Sequence, residues 1–311
     1  MNIVITGGSG FVGSYLCEKL INDGHEIIVV DNLLTGSTEN INHLMHNENF
    51  SFIEHDVQNH IEIENKVDYV LHFASAASPK AYTEHPVNTL KAGSVGTINT
   101  LGLAKKHDAE YLLASTSEVY GDPLISPQTE EYWGNVNPNG ERSMYDEAKR
   151  FAEAAVATYS RSYDLKTKIV RIFNTYGPRM QLNDGRVVTN FIVQALKNEN
   201  ITIYGDGSQT RSFSYVEDTV AGIISLMNSS EYDVFNIGNP NEMTVGQLAE
   251  KIIKLTDSTS EIKYLELPND DPKQRKPDIT KAKTKLNWEP KVNLEDGLTK
   301  TIKWVEGQLS K

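Results

Sequence analysis

Three glycines, Gly7, Gly10 and Gly13, stand between a short apolar run, Asn2–Thr6, and a helical pattern that continues through Ile21. A strand that turns through glycines into a helix needs a chain path free of side chains. It leaves the helix N-terminus, with its unpaired N–H groups and partial positive charge, at the carboxyl end of the strand. Phosphate binds well there. The spacing is Gly-x-x-Gly-x-x-Gly rather than the commoner G-x-G-x-x-G, but the physical roles are the same: a tight turn, close approach of a pyrophosphate and close helix–strand packing. The next expected strand, 26–30, runs into Asp31-Asn32, eighteen residues past Gly13. An acid there accepts ribose hydroxyls and repels a 2′-phosphate, and residues 31–34 contain no Arg or Lys. The pattern therefore predicts NAD rather than NADP, held by Gly7, Gly10, Phe11, Val12, Gly13, Asp31 and Asn32. A solvated turn acid is the alternative for Asp31. Asp56 and Val57, after the third strand, and Ala74, after the fourth, extend the expected cofactor site. Asp56 suits the adenine amino group, or alternatively a helix cap.

The same alternation continues. Strands are expected at 50–53, 69–73, 111–114 and 168–173, with a long helix over 87–106. This predicts an α/β fold: a doubly wound parallel sheet of the NAD-binding Rossmann-like kind, with ligands at the carboxyl ends of the strands. The expected organisation is an NAD-binding domain over 1–176 with a return segment near 213–237. A smaller mixed α/β substrate domain takes 177–212 and 238–311. Asp218 caps or orients the return segment at 213–224, and amphipathic helices are expected at Val245–Leu255 and Thr280–Leu286.

Composition removes several classes. The formal charge of −12 argues against a nucleic-acid binder, though local arginines can still hold a phosphorylated ligand. Cys17 is the only cysteine, so neither an internal disulfide nor a cysteine zinc site is possible, and its helical setting reads as core. His72 and His107 read as structural, and no histidine pair has metal spacing; no metal is expected. No apolar run reaches the roughly 18 residues of a membrane span, and the chain opens directly on a strand. A soluble cytoplasmic protein is the expectation.

The chemistry falls in the middle of the chain. Thr116, Ser117 and Glu118 follow an apolar run, and Tyr145 and Lys149 come later, four apart on a helix and so on one face. A phenol titrates near 10 in water, and a nearby ammonium together with a positive nicotinamide favours its ionised form. Tyr145 then takes a hydroxyl proton while hydride leaves to the cofactor. Lys149 holds the ribose and lowers the Tyr145 pKa, and Thr116 binds the same substrate oxygen. Glu118 beside a hydroxyl offers a second acid/base couple.

Six motifs carry a resemblance. They are Ala-Ser-Thr-Ser-Glu-Val-Tyr-Gly-Asp-Pro (114–123), Tyr-Trp-Gly-Asn-Val-Asn-Pro (132–138), Ile-Phe-Asn-Thr-Tyr-Gly-Pro-Arg-Met (172–180), Asn-Asp-Gly-Arg-Val-Val (183–188), Tyr-Gly-Asp-Gly-Ser-Gln-Thr-Arg (204–211) and Asp-Asp-Pro-Lys-Gln-Arg-Lys-Pro-Asp (270–278). With the glycine segment and the Tyr/Lys pair, the chain resembles the extended short-chain dehydrogenases/reductases acting on nucleotide sugars, and within them the UDP-glucuronate decarboxylase (UDP-xylose synthase) family. The resemblance implies oxidation of the sugar C4 hydroxyl by Tyr145 and bound NAD, loss of carbon dioxide from the β-keto acid, protonation at C5, and return of hydride to C4. It implies that Glu118 assists as base or water-orienting group and that Arg275 faces the carboxylate; an arginine fork suits both a carboxylate and an enolate. A UDP-sugar partner follows, with Ser117, Asn174, Arg179, Arg186, Tyr204, Arg211 and Arg275 as candidate contacts. A homodimer through the helix near 87–106 and the one after Tyr145 is implied too, with Phe151, Ala155 and Tyr159 compatible. The chain departs from the family pattern at Gly93, where Asn is usual, at Ala76, where Pro is usual, and at Ala148, often Gly. Two other readings stay open: a nucleotide-sugar 4,6-dehydratase or 4-epimerase, and a non-catalytic NAD-binding protein.

Overall fold

The computed structural model describes residues 1–266 and 274–311. Residues 270–273 of the last motif therefore lie outside the described residues. Six parallel strands, β1 (Asn2–Thr6), β2 (Glu26–Asp31), β3 (Phe50–Glu54), β4 (Tyr69–His72), β5 (Glu110–Thr116) and β6 (Thr167–Ile172), join a seventh, Val234–Ile237, in one sheet. The order across it is Val234–Ile237, β6, β5, β4, β1, β2, β3. Successive side chains of a strand point to opposite faces. Ile3, Ile5, Leu71 and Leu112 accordingly enter one apolar core, and Val4, Val70, Tyr111 and Leu113 enter another. Both faces are covered, which is why these strands read as unbroken apolar runs rather than alternating ones. The doubly wound sheet is as expected; the seventh strand is an addition to it.

The chain runs from β1 outward to β2 and β3, then crosses back to place β4 on the other flank of β1. The strand order reverses there, and a crevice opens at the carboxyl ends of β1 and β4. Helix α1 (Phe11–Asn22) starts at this crevice, with Gly10 as its N-cap.

The helix expected over 87–106 is not one regular helix. After α2 (Pro79–Glu84), α3 (Pro86–Lys91) passes into a π-helical turn, Ala92–Gly96, and then into α4 (Thr97–His107). The turn packs on α5 (Ser143–Tyr163), and two of the departures noted above meet there. A Cβ built on Gly93 would lie 2.7 Å from the Ala148 Cβ. The glycine makes room for the alanine, so the two positions act as one pair at a helix crossing, where a bulkier residue at either would force the helices apart.

Lys168, 1% exposed, ties the return segment down. Its Nζ donates to the carbonyls of Met227 (2.7 Å) and Ser229 (2.8 Å), at the end of helix Val216–Asn228. A cation suits the unpaired carbonyls of a helix C-terminus. Asp218 works from the other end of the same helix. Its Oδ2 accepts from Val292 N (2.9 Å) and its carbonyl from Trp288 Nε1 (3.1 Å). Just ahead of that helix in the chain, Thr210–Ser212 lies between Glu242–Thr244 and Gln274–Arg275, with Arg211 and Arg275 in register on parallel neighbours.

Candidate active site

A cleft of about 1350 Å³ runs from the glycine turn, across the ends of β1, β4 and β5, to Arg211 and Tyr204. At its first end the chain leaves no room for side chains. A Cβ on Gly7, whose φ is +73°, would lie 2.7 Å from the Phe73 carbonyl carbon, and one on Gly13 would lie 2.2 Å from Gly7 O. Asp31 is buried, and its carboxylate accepts from Ser9 N (3.0 Å) and Leu33 N (2.9 Å). Burial raises its pKa and these N–H bonds oppose the rise. A carboxylate has about four acceptor positions, and Asp31 lines the cleft. The bare glycine turn, the helix N-terminus and the acid fit a dinucleotide without a 2′-phosphate. Phe11, Val12, Asn32, Val57 and Ala74 line the same end. Asp56 does not: its carboxylate accepts from Asn32 Nδ2 (3.0 Å) and Gln58 N (2.9 Å). It shapes the turn after β3 and supports Asn32.

Tyr145 and Lys149 stand in the first turns of α5, both buried and both facing the cleft. Lys149 Nζ donates to Ala114 O (2.9 Å) and lies 5.9 Å from the Tyr145 ring centre. Burial lowers the Lys149 pKa to about 8, with Glu153 pulling the other way. Burial raises that of Tyr145, and a hydrogen bond with Thr116 opposes it. No lowering of the phenol by Lys149 appears in the protein alone: burial dominates, the Glu118 and Asp146 charges add to it, and Thr116 and Arg186 oppose it. The Tyr145 ring stacks on Tyr82, at 5.2 Å between centres and 14° between planes.

Glu118 occupies a short 3₁₀ turn, Ser117–Tyr120, that follows β5. Thr116 caps the turn by accepting from Glu118 N (3.3 Å). The Glu118 carboxylate is held on both sides. Arg142 Nη2 reaches Oε2 at 2.6 Å, and Arg275 Nη1 bonds Oε1. Burial would raise the Glu118 pKa, but Arg275 and Arg142 outweigh it and hold the group at about 2. A carboxylate so pinned is held in its ionised form and anchors two guanidinium groups. Arg275 is 3% exposed; its Nη2 also donates to Gly121 O (3.2 Å), and Ser117 Oγ lies 3.5 Å from its Nη1.

Of the other proposed sugar-nucleotide contacts, Asn174, Tyr204 and Arg211 line the far end of the cleft. Arg179 and Arg186 line it too, but nearer the glycine turn. Arg179 donates to Glu18 (2.6 Å) and packs 4.3 Å over Tyr15; Arg186 donates to Asp184 (2.7 Å) and lies 5.9 Å from the Phe11 ring. The rings they meet, Tyr15 and Phe11, belong to α1. The sequence reading missed Arg142 and Tyr82. Arg142 lies in a polar loop with no spacing signal, and only folding brings it to Glu118. Tyr82 belongs to a six-residue helix too short to show a pattern. Among the described residues, no three His, Cys, Asp or Glu side chains cluster to hold a metal, and no helix is long and apolar enough to cross a membrane.

The profile of the GDP-mannose 4,6 dehydratase family matches residues 4–301. The chain is 53% identical to UDP-glucuronic acid decarboxylase 1 of Xenopus tropicalis over 307 residues, 99% of this chain and 72% of that protein. In structure it is similar to UDP-glucose 4-epimerase from Thermotoga maritima, with a TM-score of 0.92 at 33% identity, covering 99% of this chain and 100% of the other. It is also similar to UDP-glucuronic acid 4-epimerase from Bacillus cereus in complex with UDP-glucuronic acid and NAD, with a TM-score of 0.88 at 26% identity, covering 99% and 100%.

Proposed function

The chain belongs to the UDP-glucuronic acid decarboxylase family of extended short-chain dehydrogenases/reductases, and on that premise we propose that it converts UDP-glucuronate to UDP-xylose with NAD regenerated in the same site. The observation that carries the reading is the buried Arg275, fixed by Glu118 within the turn that also presents Thr116 to Tyr145. It places a permanent cation where a sugar carboxylate can meet it, next to the pair that handles the hydroxyl.

Gly7, Gly13 and Asp31 would hold NAD, which when bound supplies the hydride acceptor and a positive charge. Tyr145 takes the C4 hydroxyl proton, with Thr116 fixing the direction of the phenol. Lys149 sets the local charge and holds the ribose. The C4 ketone makes the C5 carboxylate a β-keto acid; its C–C bond breaks, carbon dioxide leaves, and the electron pair passes into an enolate. Arg275 and Arg142 oppose the negative charge throughout, and their fixed position is what favours the enolate. A proton from solvent then adds at C5, and Tyr145 gives its proton back to the C4 oxygen as the ketone is reduced again, which leaves UDP-xylose and the tyrosine as it began. Asn174, Tyr204 and Arg211 hold the nucleotide end. The division into a cofactor domain over 1–176 and a substrate domain around 177–212 and 238–311 belongs to this reading, as does a cytoplasmic location for a chain whose only cysteine is buried.

A 4,6-dehydratase is less well supported. It needs an acid that delivers a proton to the leaving hydroxyl, and Glu118 with a pKa of about 2 holds none at neutral pH. The test is direct. The protein is incubated with UDP-glucuronate and NAD, and the product mass is followed; loss of one carbon dioxide is expected. A product of unchanged mass (epimerisation) or one lighter by a water would overturn the reading.

A homodimer is part of the same proposal. Val87, Leu90, Val95, Ile98 and Phe151 are large apolar side chains left exposed on α3, the π turn, α4 and α5. Exposed apolar surface gathered on neighbouring helices is an interface signal. Of the other two side chains proposed for this face, Ala155 is buried and Tyr159 packs against the core beneath the sheet. Light scattering should give twice the chain mass, and Phe151→Glu should halve it.

A further inference from the structure

Gln128 is wholly buried, does not line the cleft and takes no part in the chemistry above, yet it grips the chain beside Arg275. It pairs with Pro277 as an isolated parallel bridge: Gln128 N donates to Lys276 O (2.8 Å), and Gln128 O accepts from Asp278 N (2.8 Å). The side chain adds a third bond to the same segment. Its Oε1 accepts from Lys276 N (2.8 Å), 148 positions along the chain, while its Nε2 donates to Ile125 O (2.7 Å). Lys276 follows Arg275 directly, so this amide fixes the main chain from which the guanidinium side chain springs. On the strand itself, pairing with Arg211 holds Arg275 from the other side.

Asn236, wholly buried on the edge strand Val234–Ile237, carries both halves of the arrangement. Its Nδ2 donates to Gln128 O (3.0 Å) and to Asp278 O (3.2 Å), and its Oδ1 accepts from Tyr120 Oη (2.8 Å). Tyr120 ends the 3₁₀ turn that bears Glu118. The Glu118 turn and the Arg275 strand thus hang from one side chain of the main sheet, the second of them with Gln128 as the clasp. An arginine stem is long, so any drift of its backbone reaches the fork, and recognition of a carboxylate by that fork is planar and directional. Such a group has to be held within about 0.5 Å by side chains that are themselves locked by packing and hydrogen bonds. We infer that Gln128 is a positioning residue that fixes the Arg275 guanidinium for a carboxylate-bearing nucleotide sugar, and so contributes to the choice of that sugar over a neutral one without touching either. This rests on the reading of UDP-glucuronate as substrate, in which Arg275 meets the sugar carboxylate.

The test is a double-mutant cycle read by calorimetric titration of the protein loaded with NADH, so that no oxidation proceeds. It compares UDP-glucuronate with UDP-glucose in wild type, Gln128→Met, Arg275→Ala and the double variant. Methionine keeps the length and volume of the glutamine and removes both its donor and its acceptor. Gln128→Met should bind UDP-glucuronate about tenfold more weakly, the equivalent of one hydrogen bond, and UDP-glucose as wild type does. Its turnover should fall by about 100-fold, the scale of a 1 Å misplacement. In the Arg275→Ala background Gln128→Met should change the UDP-glucuronate affinity no further. An equal loss for both sugars would make Gln128 a structural residue and overturn the inference, as would a loss that adds in full to that of Arg275→Ala. Hydrogen exchange on the wild-type protein needs no variant: the Lys276 and Asp278 amides should be protected before any sugar is added, and protection that arises only with UDP-glucuronate would overturn the inference too. The two failures are distinguishable. Should Arg275→Ala bind both sugars as wild type does, the reading of Arg275 as the carboxylate's partner fails; a discriminating Arg275→Ala beside a silent Gln128→Met overturns the inference alone.

Discussion

Tyr145→Phe is expected to lower turnover by roughly 10³-fold while NAD binds as before. The two halves of that result have separate physical origins. Phenylalanine retains the ring that stacks on Tyr82, so the helix packing and the wall of the cleft survive. Only the hydroxyl goes, and with it the partner of Thr116 and the atom that takes the C4 proton. The glycine turn and Asp31, at the other end of the cleft, are untouched. Product formation followed by chromatography, beside a cofactor titration by fluorescence, separates the effects. Near wild-type turnover in this variant would remove Tyr145 from the chemistry, and loss of NAD binding would make it a structural residue.

The second large effect belongs to Glu118. Glu118→Gln leaves Arg275 and Arg142 facing a neutral amide in a largely dry site. Breaking a buried ion pair by removing one partner costs about 3 kcal/mol or more, because an uncompensated charge is left behind. We expect a loss of about that size in urea unfolding at neutral pH, with turnover down by about 100-fold as the guanidinium groups lose their fixed position. The pH dependence has a definite sign. The folded-state pKa of Glu118 is depressed from 4.5 to about 2, so its contribution is fully present above 4.5 and is lost as pH falls from there toward 2. Wild type and Glu118→Gln should therefore converge in stability on acidification. If the variant kept full stability and lost only substrate affinity, Glu118 would be a binding residue and not an anchor.

Much of this site was legible because its signals are local. The glycine turn, Asp31 eighteen residues on, and the Tyr/Lys pair at helical spacing all report backbone geometry, which neighbouring residues dictate. The strands were legible for the same reason, though their ends moved: β5 reaches Thr116, two residues past its expected end, because pairing with β6 continues to Ile172. Other parts were not local. Asp56 accepts from the Asn32 amide, 24 positions away in the chain. Arg179 pairs with Glu18 and covers Tyr15 on α1, and Arg186, paired with its near neighbour Asp184, lies against Phe11 of the same helix. The long helix broke into a π turn where Gly93 meets Ala148, a contact between segments far apart in the chain.

The doubly wound sheet, the glycine turn and the pairing of Tyr145 with Lys149 can be read along the chain, since each rests on periodicity or spacing within a short stretch. The surroundings of Glu118 cannot. Read along the chain, it was a carboxylate beside a hydroxyl and a candidate base. In the fold, Arg142 and Arg275 reach it from a loop 24 residues away and a strand 157 residues away, and their two positive charges outweigh its burial. The protonation state of a buried group depends on which charges surround it in space, and spacing along the chain does not carry that information.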